Sequence, residues 1–192
     1  MAAAFNEVGF DCIDVHMTDL ISARHTLAEF EGLVACGGFS YGDVLGAGGG
    51  WANSILFNED LRKQFGDFFH NENVFSLGVC NGCQTLSLLK SLIPGATNWP
   101  DFKRNKSEKF EARLVQVSVK ESPSIFFKDM GDSIITVPVA HGEGRVDATV
   151  RDILELNNNH HTTITYSDDN GSFTEDYPAN PNGSLNGIAG VT

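Results

Sequence analysis

Apolar positions along this chain recur in two periods, and the sharpest change from one to the other falls at Cys80. Residues 74–79 form a short β-branched and aromatic run that predicts a buried strand. Residues 85–92 instead space their apolar positions as a helix does. Upstream, residues 32–36 predict a second buried, parallel strand after a short helix or turn at 27–31. Helices are predicted at 51–56 and 59–70, with Leu61, Phe65, Phe68 and Phe69 on one apolar face. Residues 2–8 read as the end of a helix closed by Gly9, and the alternation of residues 12–17 predicts a strand. A doubly wound fold normally opens on a strand, so a first strand is expected to lie ahead of residue 1.

Beyond Pro94 and Gly95, which end the helical run, residues 98–101 read as a loop. Strands are predicted at 110–119 and 133–139, with Pro138 marking an edge or an end. A glycine-spaced loop, 140–145, then carries His141, Glu143 and Arg145. His141 and Glu143 can be read as a general base and its orienter, or as contacts to a substrate or partner. A helix at 148–156, a strand at 162–166, a turn-rich stretch at 177–184 and a strand pair starting at 187 complete the pattern. His160 and His161 fall in a polar, Asn-rich turn.

Composition narrows the function classes. A length of 192 residues suits one α/β domain, and 20 glycines fit a loop-rich one. The formal charge of −12 argues against nucleic acid or an anionic membrane as partner. Five of the 13 basic residues nevertheless gather at Lys103, Arg104, Lys106, Lys109 and Arg113, a face suited to an acidic partner surface or a phosphate. No signal peptide or membrane-spanning run is read, so a cytoplasmic protein is expected, in which four cysteines do not make a disulfide framework. No metal site is expected from one Cys-x-x-Cys pair. The glycine run at 46–50 lacks the Gly-Lys-Ser/Thr ending of a phosphate loop, which excludes nucleotide binding there.

Gly78-Val79-Cys80-Asn81-Gly82 is a nucleophile elbow with sulfur in place of oxygen. Its glycines remove the Cβ clashes of a tight strand-to-helix turn, and the helix start beyond favours thiolate over thiol. The amide of Asn81 is a candidate oxyanion donor, and that of Gly38 or its neighbours Gly37 and Phe39 a second, since glycines directly after a strand allow close approach of a ligand. Two other readings stand beside it: a small buried core cysteine, and a Cys80/Cys83 redox pair.

The run Gly78-Val79-Cys80-Asn81-Gly82-Cys83-Gln84 resembles the nucleophile segment of class I glutamine amidotransferases, whose pattern is Gly-x-Cys-x-Gly-x-Gln. Together with residues 36–43, 99–108, 140–146 and 180–184, it is similar to the glutaminase domains of phosphoribosylformylglycinamidine synthases, in their long single-chain form. The resemblance implies a single flavodoxin-like α/β domain of three layers with a mostly parallel central sheet. It implies that Cys80 forms a glutamyl thioester, that Gln84 helps bind glutamine, and that His141 and Glu143 line the pocket or face the synthase domain. No cofactor is implied for these residues themselves; ATP and magnesium are implied for a synthase domain of the same polypeptide, in purine biosynthesis. The family's catalytic His-Pro-Glu does not occur among these 192 residues, so a fragment cut at both ends, weakly active or inactive alone, is expected. A thiol oxidoreductase and a non-catalytic docking module remain as alternatives.

Overall fold

The computed structural model describes residues 1–38 and 46–192, so the expectation placed on Phe39 lies outside the described residues. The chain divides into two compact units, Met1–Pro94 and Gly95–Thr192.

In the first unit, β1 (Gly32–Ala35) and β2 (Phe75–Gly78) pair in parallel, with Gly32 opposite Phe75 and Ala35 opposite Gly78. Around them run α1 (Ala2–Glu7), α2 (Met17–Ile21), α3 (Ala47–Leu56), α4 (Glu59–Phe69) and α5 (Asn81–Leu88). Asn58 caps α4 by accepting from the Leu61 amide at 3.0 Å, and the helix turns Leu61, Phe65 and Phe68 inward. They meet Leu20, Leu27, Ala52, Ile55 and Leu89 in one apolar cluster. Phe5 and Phe10 pack on Phe75, whose ring covers Gly32. The expected strand at 12–17 is not formed: residues 10–16 carry no regular secondary structure and pair with no strand among the described residues. His16 instead caps α2, its Nδ1 accepting from the Thr18 amide at 3.2 Å. A strand needs a neighbour for its backbone, and alternation alone does not supply one.

In the second unit, β4 (Glu111–Val119), β5 (Ile134–His141), β7 (Thr162–Ser167) and β8 (Ile188–Val191) form a sheet in the order β5-β4-β7-β8. All its pairings are antiparallel. Pro138 lies on β5, an edge strand, where its missing N–H costs least. β3 (Asp101–Lys103) and β6 (Arg145–Asp147) make a separate antiparallel pair, so residues 98–101 and 145 are not all loop. α6 (Val150–Asn158) opens on a capping box at Thr149 and Asp152.

The protein is thus α/β, but a mostly parallel central sheet is not what it shows: among the described residues only β1 and β2 run parallel. The reason is local. Parallel neighbours need a long crossover, usually an α-helix, whereas residues 120–133 between β4 and β5 hold only a single 3-10 turn, Ile125–Phe127, and return the chain antiparallel. No helix among the described residues is long and apolar enough to cross a membrane.

Candidate functional site

β2 ends at Gly78 and α5 begins at Asn81, leaving two residues to reverse the chain. Cys80 takes the strain: its φ of 55° and ψ of −113° lie where a side chain is rarely found. The flanking glycines are required by contact. A Cβ on Gly78 would lie 2.7 Å from the Gly82 carbonyl oxygen and 2.9 Å from the Cys83 nitrogen. A Cβ on Gly82 would run into the Ala35 carbonyl of β1. The turn is therefore pressed against the neighbouring strand, and Cys80 at its apex is half-buried rather than enclosed.

The glycine loop after β1 reaches the same place. A Cβ on Gly37 would sit 3.1 Å from Cys80 Cβ and 3.9 Å from its Sγ, and Gly38 has a φ of 108° that favours glycine. Cys80 and Gly37 thus meet at the ends of β1 and β2, with Gly38 next in the chain and Asn81 at the first position of α5. Gln84 follows one turn on, its amide donating to the Cys80 carbonyl at 3.1 Å. Its Cβ packs so closely on Gly48 of α3 that a Cβ there would be 2.7 Å away. Thr85 Oγ1 donates to the Asn81 carbonyl at 3.0 Å and reaches the Gly48 carbonyl at 3.4 Å. Gly48 and Thr85 were not singled out by the sequence reading. The glycine run at 46–50 was the available signal, and it serves helix packing.

Cys83 differs from its neighbour. Desolvation, with the adjoining Cys80, pushes its thiol up to about 12. Both cysteines are free thiols.

His141 and Glu143 belong to the second unit. His141 ends β5, and its carbonyl accepts from Asn105 Nδ2 at 2.8 Å. Its ring packs over Gly144, its Nδ1 is buried without a hydrogen-bond partner among the described residues, and burial lowers its pKa. No carboxylate orients the ring through Nδ1. The loop itself is pinned: Asn105 Oδ1 accepts from the Gly144 amide at 3.1 Å, and Asn182 Nδ2 donates to the Gly144 carbonyl at 3.1 Å and to the Tyr166 hydroxyl at 2.6 Å. Of the basic cluster, Arg113 pairs with buried Glu111 at 2.6 Å and Lys103 lies 3.8 Å from Asp101. Arg104 donates to the Glu108 carbonyl at 2.9 Å. Among the described residues no group of three His, Cys, Asp or Glu side chains could hold a metal ion.

The family described as CobB/CobQ-like glutamine amidotransferase domain matches residues 1–192. The fold is similar to that in the structure of PurLQS from Thermotoga maritima, with a TM-score of 0.59 and 22% sequence identity over 87% of this chain. This chain spans 65% of the length of that one.

Proposed function

Because this chain belongs to the CobB/CobQ-like glutamine amidotransferase domain family, we propose that it is the glutamine-hydrolysing part of a phosphoribosylformylglycinamidine synthase, with Cys80 as nucleophile. One observation carries the reading: a cysteine in a strained backbone conformation at a strand-to-helix apex, held against a glycine loop. A core cysteine has no need of that strain, since small apolar side chains pack in ordinary backbone conformations.

The step follows from the placement. Cys80 Sγ attacks the carboxamide carbon of glutamine, and the carbonyl oxygen takes the electron pair. The positive end of α5, with amides at Asn81 and at Gly37 or Gly38, favours that charge. The C–N bond then breaks, the nitrogen leaves as ammonia with a proton, and a glutamyl thioester remains. Water hydrolyses the thioester to glutamate and returns the thiol. Gln84 contributes to holding glutamine. His141 and Glu143 are assigned to substrate or synthase contact, not to base catalysis.

Ammonia from this step would go to a synthase domain of the same polypeptide, which would use ATP and magnesium to convert formylglycinamide ribonucleotide to formylglycinamidine ribonucleotide. In this reading ATP and magnesium are held by that synthase domain. In the alternative Cys80/Cys83 redox reading, burial, which pushes the Cys83 thiol up to about 12, would make Cys83 the resolving thiol and not the attacking one.

The test is protection. Glutamine at millimolar concentration should slow alkylation of Cys80 at least about tenfold while leaving the rate at Cys12 and Cys36 unchanged. A glutamine analogue with an electrophilic carbon at the carboxamide position should add to Cys80 alone. Equal alkylation rates with and without glutamine, together with no adduct from the analogue, would sink the proposal.

A further inference from the structure

α3 carries three successive glycines, Gly48, Gly49 and Gly50, although only proline is held in a helix interior at greater cost. The first two differ in their surroundings. A Cβ on Gly49 would touch only the Leu88 side chain, at 4.0 Å, which is ordinary packing. A Cβ on Gly48 would lie 2.7 Å from Gln84 Cβ, 3.0 Å from the Thr85 nitrogen and 3.2 Å from the Gln84 carbonyl carbon. Two of those three atoms belong to the backbone of α5 and cannot swing aside as the end of a side chain would. Gly48 is thus a position where α3 must lack a side chain, and what it meets there is Gln84.

Gln84 is held from two sides. Its backbone amide donates to the Cys80 carbonyl at 3.1 Å, and its Cβ rests on Gly48. The next residue reinforces the contact. Thr85 is 3% exposed; its hydroxyl donates to the Asn81 carbonyl at 3.0 Å, and the same oxygen lies 3.4 Å from the Gly48 carbonyl. One hydroxyl therefore spans the first turns of both helices. The elbow itself rests on other contacts, Gly82 against the Ala35 carbonyl and Gly37 against Cys80 Cβ. A displacement between α3 and α5 reaches Gln84 directly, and the sulfur only through the turn of helix between them.

We propose that Gly48 is a positioning residue for glutamine: by admitting the backbone of α5 to contact distance, it sets where Gln84 stands relative to Cys80. The inference rests on the amidotransferase reading above, in which Gln84 helps to hold glutamine. Gly48 acts through Gln84, so replacing it weakens the hold on glutamine and spares the reactivity of the thiol.

Alkylation of Cys80 by iodoacetamide on the whole chain, followed by peptide mapping, gives two quantities for each variant. One is the rate without glutamine, the other the glutamine concentration that halves it. Gly48→Ala should raise that concentration at least about tenfold and leave the rate without glutamine within about twofold, since a small misplacement of a binding group is costly. Gly49→Ala, one residue along α3, should leave both quantities unchanged and raise the urea midpoint. Gln84→Ala should raise the halving concentration as Gly48→Ala does. Thr85→Val keeps the shape of the side chain and removes the hydroxyl contact between the helices; it should raise the concentration about threefold.

A wild-type chain protected by glutamine and a Gly48→Ala chain protected equally would overturn this inference alone. So would a rate without glutamine that falls about tenfold in Gly48→Ala, which makes the glycine a support of the elbow. An equal loss of protection in Gly49→Ala, or none in Gln84→Ala, overturns it too. If Gly48→Ala shows no cooperative urea transition, Thr85→Val decides, and unchanged protection there counts against the inference. Absence of protection in the wild-type chain removes the amidotransferase reading, and this inference with it.

Discussion

At the scale of single residues, Gly82 and Cys80 carry opposite burdens. Gly82 adopts an ordinary helical conformation but faces the Ala35 carbonyl, so Gly82→Ala must part α5 from β1. A loss of about 3 kcal/mol in denaturant unfolding is expected, at the upper end for overpacking. Cys80 has room for its side chain but a costly backbone, so Cys80→Gly relieves strain. It should cost little stability, or add some, while abolishing the analogue adduct. Cys83 is separated from Cys80 by its protonation. With a thiol at about 12 it should be alkylated roughly a thousandfold more slowly at pH 8 than an ordinary exposed cysteine. Peptide mapping after timed iodoacetamide exposure measures this, and comparable rates at Cys83 and Cys36 would contradict it. The pattern Gly-x-Cys-x-Gly made the apex legible in the sequence, because few turns need glycine on both sides of one side chain. The contacts that demand each glycine were not legible, since Ala35 lies 47 positions from Gly82 in the chain.

At the scale of elements, the loop between β5 and β6 is held by asparagines rather than by its own residues. Buried Asn105 donates to the Lys109 and His141 carbonyls at 3.0 and 2.8 Å and accepts from the Gly144 amide. Asn105→Ala leaves these groups buried without partners, for an expected loss of about 2–4 kcal/mol. Asn105→Asp keeps the acceptor and loses the two donations, so it should fall between the two; denaturant titration of the three proteins gives the order. Helix positions were largely readable: α4 was expected at 59–70 and runs Glu59–Phe69, its start fixed by the Asn58 cap and its face by three buried apolar residues. The segment at 12–17 was misread, because alternation reports which faces are apolar and not whether a neighbouring strand is there to pair.

At the scale of the whole molecule, protonation couples to stability through His141. Burial lowers its pKa from the ordinary imidazole value near 6.5, so the folded chain resists a proton that the unfolded chain accepts. Above pH 6.5 both states are neutral at this residue and it contributes no slope. As pH falls below about 6.5, stability is lost until the folded-state pKa is passed. Urea unfolding at pH 7.5 and pH 5.5 should show a drop that His141→Asn reduces, and an equal drop in that variant would rule the residue out. Two units, each with its own apolar clusters, stand where the sequence reading placed one central sheet. By itself the sequence determined what short-range chemistry dictates: the helices with their caps, the buried strands, and the cysteine at a glycine-flanked turn. Only the tertiary structure decided which strands pair and in what sense, that Gly37 meets Cys80, and that asparagines far along the chain hold His141. Hydrogen-bond partners and close contacts are chosen by distance in space, and local pattern does not encode residues 36 or more positions apart.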